Sequence, residues 1–287
     1  MISFGRVSTA MVTPFDSKGN IDFEKTTQLV DYLINNGTDS LVVAGTTGES
    51  PTLTSEEKIA LFRRVVKAAN GRVPIVAGTG SNNTHASIEL TKKAEEAGVD
   101  AIMLVAPYYN KPNQEGLYQH FKAIAEATKL PVMIYNIPGR SSVNITPETT
   151  IKLSQISNIV ATKEASGNLD AITEIIAGTD DDFQVYSGDD GLALPILSVG
   201  GNGVVSVASH VAGNELQEMV TAFLNGNYQE AAKLHQQLLP LIRGLFAAPS
   251  PVPVKAALQM KGIDAGPVRL PLVPLSEEER AALLKLL

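Results

Sequence analysis

Val132-Met133-Ile134-Tyr135-Asn136 and Ile159-Val160-Ala161-Thr162-Lys163 are short apolar runs, and the segment 146–155 between them carries its apolar residues at helical spacing. Strand, helix and strand in that order make a βαβ unit, whose right-handed crossover sets the two strands parallel. The alternation continues both ways along the chain. Strands are predicted over 7–12, 40–43, 74–77, 101–105, 183–187 and 203–207, and helices over 23–36, 55–69, 84–97, 114–128, 168–176, 192–199 and 215–224. Thr54-Ser55-Glu56-Glu57 is a capping box, Gly37 and Gly98 stop helices, and Pro147 sits where a first helical turn tolerates it. Eight such units make an α/β chain of the (β/α)8 TIM-barrel type, with a doubly wound open sheet as the competing arrangement. Residues 1–226 are assigned to the barrel. Residues 227–287 lack a strand signal and read as a C-terminal helical extension, with helices over 228–244, 254–261 and 277–286.

Composition removes several function classes. The chain has 287 residues, 44% of them hydrophobic and 18% charged, which is ample material for a large core. With 23 basic and 30 acidic residues the formal charge is −7 and there is no basic stripe, so nucleic acid and anionic membrane surfaces are poor partners. The absence of cysteine excludes disulfides, thiolate metal sites and a cysteine nucleophile. His85, His120, His210 and His235 have no metal-ligand spacing. The first fifteen residues lack the pattern of a signal peptide and no apolar run spans a bilayer, so a cytoplasmic location is expected.

Barrel active sites lie at the C-terminal strand ends and in the loops that follow. Lys163 ends an apolar strand, and alternation puts it on one face with Ala161 and Ile159. Two readings stand on position alone: a desolvated amine ready to form a Schiff base, or a strand-end lysine that reaches water or pairs with Glu164. Tyr135 ends the preceding strand, as a proton shuttle or as a packed aromatic. Arg140 suits a carboxylate clamp or a solvated loop. Gly45-Thr46-Thr47-Gly48-Glu49 can offer backbone N–H groups to an anion or be a tight turn. Gly78-Thr79-Gly80 reads as a turn, because it lacks the third glycine of a dinucleotide fingerprint. The acidic loop Ser187-Gly188-Asp189-Asp190-Gly191 argues against a phosphorylated substrate. A glycosidase built on Glu49, Glu164 or Asp189 leaves Lys163 unexplained.

Four motifs together carry a resemblance that runs from Thr9-Ala10-Met11-Val12-Thr13-Pro14-Phe15 to the helical tail. They are Gly45-Thr46-Thr47-Gly48-Glu49, Pro107-Tyr108-Tyr109-Asn110-Lys111-Pro112, Tyr135-Asn136-Ile137-Pro138-Gly139-Arg140 and Lys163-Glu164-Ala165-Ser166-Gly167. The chain resembles the dihydrodipicolinate synthase branch of the N-acetylneuraminate lyase superfamily. The resemblance implies a class I aldolase-type lyase that condenses pyruvate with L-aspartate 4-semialdehyde, in the diaminopimelate route to L-lysine. No cofactor is implied beyond a covalent imine of pyruvate on Lys163. Tyr135 relays protons, Thr47 links Tyr135 to Tyr109, and Tyr109 reaches the neighbouring subunit's site. Backbone groups of Thr46 and Thr47 hold the pyruvate carboxylate, Gly188 and Val205 line the pocket, and Arg140 receives the aldehyde's carboxylate. A homo-oligomer follows, a tetramer of tight dimers.

Two departures stand out: Thr162 where the family usually has a large aliphatic residue, and Ser141-Ser142 where Thr-Gly is common. In lysine-sensitive relatives the effector sits near the positions here of Ser50, Lys58, Ala86 and Tyr108. Lys58 and Ala86 replace a histidine and a glutamate there, so weak inhibition by L-lysine is expected. The rivals are a lyase for sialic acid or a keto-deoxy sugar acid, which does not need Arg140, and a barrel that has kept only ligand binding.

Overall fold

A computed structural model describes residues 2–287. Strands β1 (Val7–Ala10), β2 (Ser40–Val43), β3 (Ile75–Gly78), β4 (Ala101–Val105), β5 (Val132–Asn136), β6 (Ile159–Glu164), β7 (Gln184–Ser187) and β8 (Gly203–Ser206) form a closed parallel barrel in chain order. Strand β8 pairs with β1. The helices that follow the strands are α1 (Phe23–Asn35), α2 (Ser55–Ala69), α3 (Thr84–Glu96), α4 (Gln114–Ala125), α5 (Pro138–Ser141) with α6 (Pro147–Ser154), α7 (Leu169–Gly178), α8 (Ala193–Ser198) and α9 (Ser209–Leu224). The closed barrel, not the open sheet, is therefore the architecture.

Side-chain caps start six of these helices, on Asp22, Thr54, Asn83, Asn113, Thr146 and Asn168. Each satisfies backbone N–H groups that the helix leaves unpaired, at about 1 kcal/mol apiece. The capping box at Thr54 and Glu57 forms as expected.

Strand alternation sorts the core into two layers. Ala10, Val42, Val76, Ala101, Met103, Met133, Tyr135, Ala161, Tyr186 and Val205 fill the barrel. Phe4 joins them from below β1 and meets Tyr186 edge-on at 6.0 Å. Leu41, Val43, Ile102, Leu104, Ile134, Val185 and Val204 point outward into the larger cluster beneath the helices.

Three local expectations are corrected. Ile159 does not share the face of Lys163, because the β5–β6 register shifts after Val132 pairs with Ile159, so that Met133 pairs with Ala161. This bulge at Val160 puts Ile159 in the outer layer while Ala161 stays inside. Helix α9 starts at Ser209, not residue 215, because a kink at Ala212 (φ −144°, ψ 38°) breaks the periodicity of its first turn. Pro138–Ser141 forms an extra short helix where a loop was expected.

The C-terminal segment forms α10 (Tyr228–Gly244), α11 (Val252–Met260) and α12 (Glu277–Leu284). Its Leu238, Ile242, Leu245, Val254, Leu258 and Leu283 enter the outer apolar cluster of the barrel. Among the described residues, no helix is long and apolar enough to cross a membrane.

Candidate active site

A cavity of about 260 Å³ opens at the C-terminal ends of β2 to β5, lined by Thr46, Gly80, Met103, Tyr108, Tyr135 and Arg140 among others. Lys163 lies beside it, its Nζ 4.0 Å from the centre of the Tyr135 ring. Register explains the meeting: Tyr135 and Lys163 are direct partners across β5 and β6. Gly188 makes the room. A Cβ there would stand 2.9 Å from Cε of Lys163, so a side chain at position 188 would displace the lysine stem.

Lys163 is 5% exposed, and among the described residues it forms no ion pair. Glu164, the alternative partner, points to the opposite face and accepts a hydrogen bond from Asn136 Nδ2 at 3.2 Å. Burial lowers the Lys163 pKa from 10.5 to about 7; the negative charge of Asp190 opposes this and Arg140 adds to it. At neutral pH that change raises the neutral-amine fraction on the order of 10³-fold. Tyr135 is 3% exposed, and burial pushes its phenol up to about 12, so it stays protonated and can pass a proton on. The Arg140 charge and a hydrogen bond from Thr46 favour its anion, but burial outweighs both.

Of the two threonines of the turn, Thr46 shares the cavity wall with Tyr135. Thr47, expected as the link to Tyr135, is buried and absent from the cavity wall, since the turn carries consecutive side chains in different directions. Within the turn, N–H of Gly48 and Ser50 donate to Gly45 O at 3.1 and 3.2 Å, and Glu49 N donates to Thr46 O at 3.0 Å. Among the described residues, the N–H groups of Thr46 and Thr47 have no acceptor, which leaves two donors for an anion. Val205 is in the inner layer. Arg140 is exposed at the rim, on α5. Tyr109 is 89% exposed and stands outside this cavity, on a loop where Tyr109 and Lys111 both have positive φ (70° and 45°).

Both sequence departures are accommodated. Thr162 is fully buried in the outward layer, with its hydroxyl unpartnered. Ser141 Oγ donates to Ile137 O at 2.9 Å, and Ser142 adopts φ 57°, a conformation that glycine enters more easily.

Sequence reasoning missed the roles of two buried carboxylates. Asp190 accepts hydrogen bonds from Val207 N (3.0 Å), Ala208 N (3.1 Å) and Ser206 Oγ. These amides lead into α9 after β8, where barrels bind phosphate, and here a protein carboxylate fills the place. Burial pushes Glu164 up to about 7. Asn136 bonds both Glu164 and the segment after Arg140, through Asn144 Oδ1 at 2.9 Å and Ile145 N at 3.0 Å. Their only sequence signal was acidity at two strand ends. The histidines are dispersed: His210 bridges Val12 N and Val207 O, and His120 faces Thr84.

A TIM barrel with a desolvated strand-end lysine against a phenol defines a class I aldolase-type lyase. The model of the dihydrodipicolinate synthetase family matches residues 3–287, and the chain belongs to that family. It is 68% identical over 283 residues to the 4-hydroxy-tetrahydrodipicolinate synthase of Bacillus subtilis, covering 98% of each chain. A crystal structure of dihydrodipicolinate synthase from Bacillus anthracis superposes with a TM-score of 0.99 at 67% identity, covering 100% of this chain and 98% of that one. A lysine-bound structure of the enzyme from Cyanidioschyzon merolae matches with a TM-score of 0.97 at 49% identity, covering 99% and 97%.

Burying an unpaired amine costs stability, which generates a prediction. Lys163→Met should be inactive yet melt at higher temperature than wild type. Below about pH 7 the folded wild type must bury a charged ammonium, whereas the unfolded chain carries that proton in water without penalty. Above it, only the unfolded chain still binds the proton, so wild-type stability rises with pH up to the ordinary lysine value. The margin in favour of Met should be largest below pH 7 and shrink above it. Calorimetry on both sides of neutrality checks this, and a margin that grows with pH would contradict it.

Proposed function

We propose that this chain acts as a 4-hydroxy-tetrahydrodipicolinate synthase, joining pyruvate to L-aspartate 4-semialdehyde. The observation that carries the reading is the buried, unpaired Lys163 amine against Tyr135 beside a cavity with Arg140 at its rim. The neutral amine attacks the pyruvate ketone, and loss of water from the carbinolamine leaves an iminium. Loss of a methyl proton gives the enamine, whose carbon attacks the aldehyde as the new alkoxide takes a proton. The substrate's own amine then attacks the iminium carbon, displaces Lys163 and closes the ring. Tyr135 moves the protons, with Thr46 as its hydrogen-bond partner. The free N–H groups of Thr46 and Thr47 suit the pyruvate carboxylate, and Arg140 suits that of the aldehyde. No cofactor is required. We assign the enzyme to the cytoplasm, which fits an acidic, cysteine-free chain acting on soluble metabolites.

Arg140 at the cavity rim, which a sugar-acid lyase does not need, favours this reading over that one. Borohydride added with pyruvate should inactivate the enzyme and leave a reduced three-carbon adduct on Lys163. An adduct on another residue, or an active Lys163→Ala, would refute the mechanism.

We also propose a homo-oligomer, a tetramer of tight dimers. Tyr109 lies outside its own chain's cavity, so its phenol is available to another copy's relay. Sedimentation should show an oligomer at assay concentration, and Tyr109→Phe should lose about 10²-fold in kcat, the scale of one lost proton-transfer partner. A fully active monomer would overturn this.

Inhibition by L-lysine should be weak. Lys58 lines the cavity rim as a cation, Ala86 offers no acceptor, and Glu89 is already paired with Lys92 at 3.4 Å. A bound lysine would lack an ammonium partner, at a cost of roughly 1.5–3 kcal/mol. A lysine titration at subsaturating pyruvate checks this, and half-inhibition well below about 1 mM would contradict it.

A further inference from the structure

Glu49 closes the Gly45–Glu49 turn, yet no step of the condensation uses it. Its side chain runs to the C-terminal segment instead. Oε1 lies 2.7 Å from Lys255 Nζ on α11, and Oε2 accepts the Arg269 N–H at 2.9 Å. Glu49 and Lys255 are 2% and 4% exposed, so the pair is shut off from water. Lys255 Nζ also donates to Pro267 O at 2.7 Å. Lys255 and Arg269 approach the Phe15 ring at 4.3 and 4.4 Å from its centre. Arg269 reaches further, to Thr52 O at 2.7 Å, Gly19 O at 2.8 Å and the Glu57 carboxylate. One cluster therefore joins the loops after β1 and β2 to the C-terminal segment.

The pair has a property that an apolar contact lacks. A buried ion pair gains little net stability over apolar residues of the same volume, but it fixes direction and distance. The turn it holds needs an outside restraint, because Glu49 sits at φ 56°, where a side chain is strained. The hydrogen bond from Glu49 N to Thr46 O carries any shift of Glu49 back to Thr46.

We propose that Glu49 and Lys255 are positioning residues: through their buried ion pair the C-terminal segment holds the Thr46 turn in register with Tyr135 and sets the carboxylate end of the pyruvate site. This rests on the pyruvate reading of the site. Arg140 stands on a different loop, so the grip on the aldehyde is independent of the pair.

The test uses the full-length enzyme, wild type against Lys255→Met and the double variant Glu49→Gln/Lys255→Met. Both variants should raise the KM for pyruvate about tenfold, the scale of a small misplacement of binding groups, and slow borohydride trapping of the imine. The KM for the aldehyde should change less than about twofold. Lys255→Met also lowers the melting temperature by stranding the Glu49 charge. The double variant has no unpaired charge to bury, so it should recover most of that loss while its pyruvate KM stays high. If Lys255→Met fails to fold, the double variant decides. A folded double variant with a wild-type pyruvate KM, or with both KM values raised in proportion, would overturn the proposal. Wild type that forms no pyruvate imine would overturn the function itself, and this inference with it.

Discussion

The site depends on holding one amine inside the barrel without an ion partner. Water would keep Lys163 charged and unreactive, and a neighbouring carboxylate would do the same by pairing with it. The fold denies it both. The bulge at Val160 changes the phase of β6, leaving Ala161 and Lys163 to the inside while Glu164 faces the other layer. Gly188 clears the volume for the lysine stem, and the Tyr135 ring covers the amine. Asp190 pulls the pKa upward, yet burial prevails as the larger effect, and the Asp190 carboxylate itself accepts from Val207 N, Ala208 N and Ser206 Oγ.

The sorting of charge around that amine also sets which substrates fit. Under the proposed function the carboxylates meet the unpaired N–H groups of the Thr46 turn and Arg140 at the rim. Phosphate is turned away where barrels of this kind most often bind it, since Asp190 already takes those amides and would repel a second anion. One buried aspartate thus favours the charged form of the amine, ties the loop after β7 to the residues just before α9 and leaves those amides unavailable to phosphate.

The architecture was legible because strand and helix periods differ and their alternation is strict. Boundaries of β2, β4, β5 and α2 fall where apolar run and cap agree. What failed is what depends on partners distant in sequence. The phase of Ile159 is decided by register with β5, and a single strand carries no sign of it. The choice between Thr46 and Thr47 depends on how a turn directs two adjacent like residues, which their chemistry cannot tell apart. Lys163 stood out because a charge closing an apolar strand is anomalous by itself. Asp190 and Glu164 did not, since an acid in a polar loop looks solvated until the loops fold over it.

Three buried carboxylates brace three loops of the mouth. Glu49 ties the turn after β2 to α11, Glu164 holds Asn136 and through it the segment after Arg140, and Asp190 ties the loop after β7 to the start of α9. Each takes at least one donor from the scaffold: Asp190 through both oxygens, and Glu49 and Glu164 through Oε2, with Oε1 of Glu49 beside Lys255 Nζ and Oε1 of Glu164 without a hydrogen-bond partner. Buried carboxylates are costly unless so satisfied, and once satisfied they permit few alternative geometries. The donors, the phenol and the amine are thereby fixed before pyruvate arrives, so little reorganisation remains for the chemical steps. The loop bearing Tyr109 has no brace of this kind: its phenol is exposed and its backbone passes through left-handed conformations at Tyr109 and Lys111. In the proposed oligomer that exposed loop is the part of the site a second copy of the chain would order, and the proposal thereby makes catalysis in one barrel depend on contact with the next.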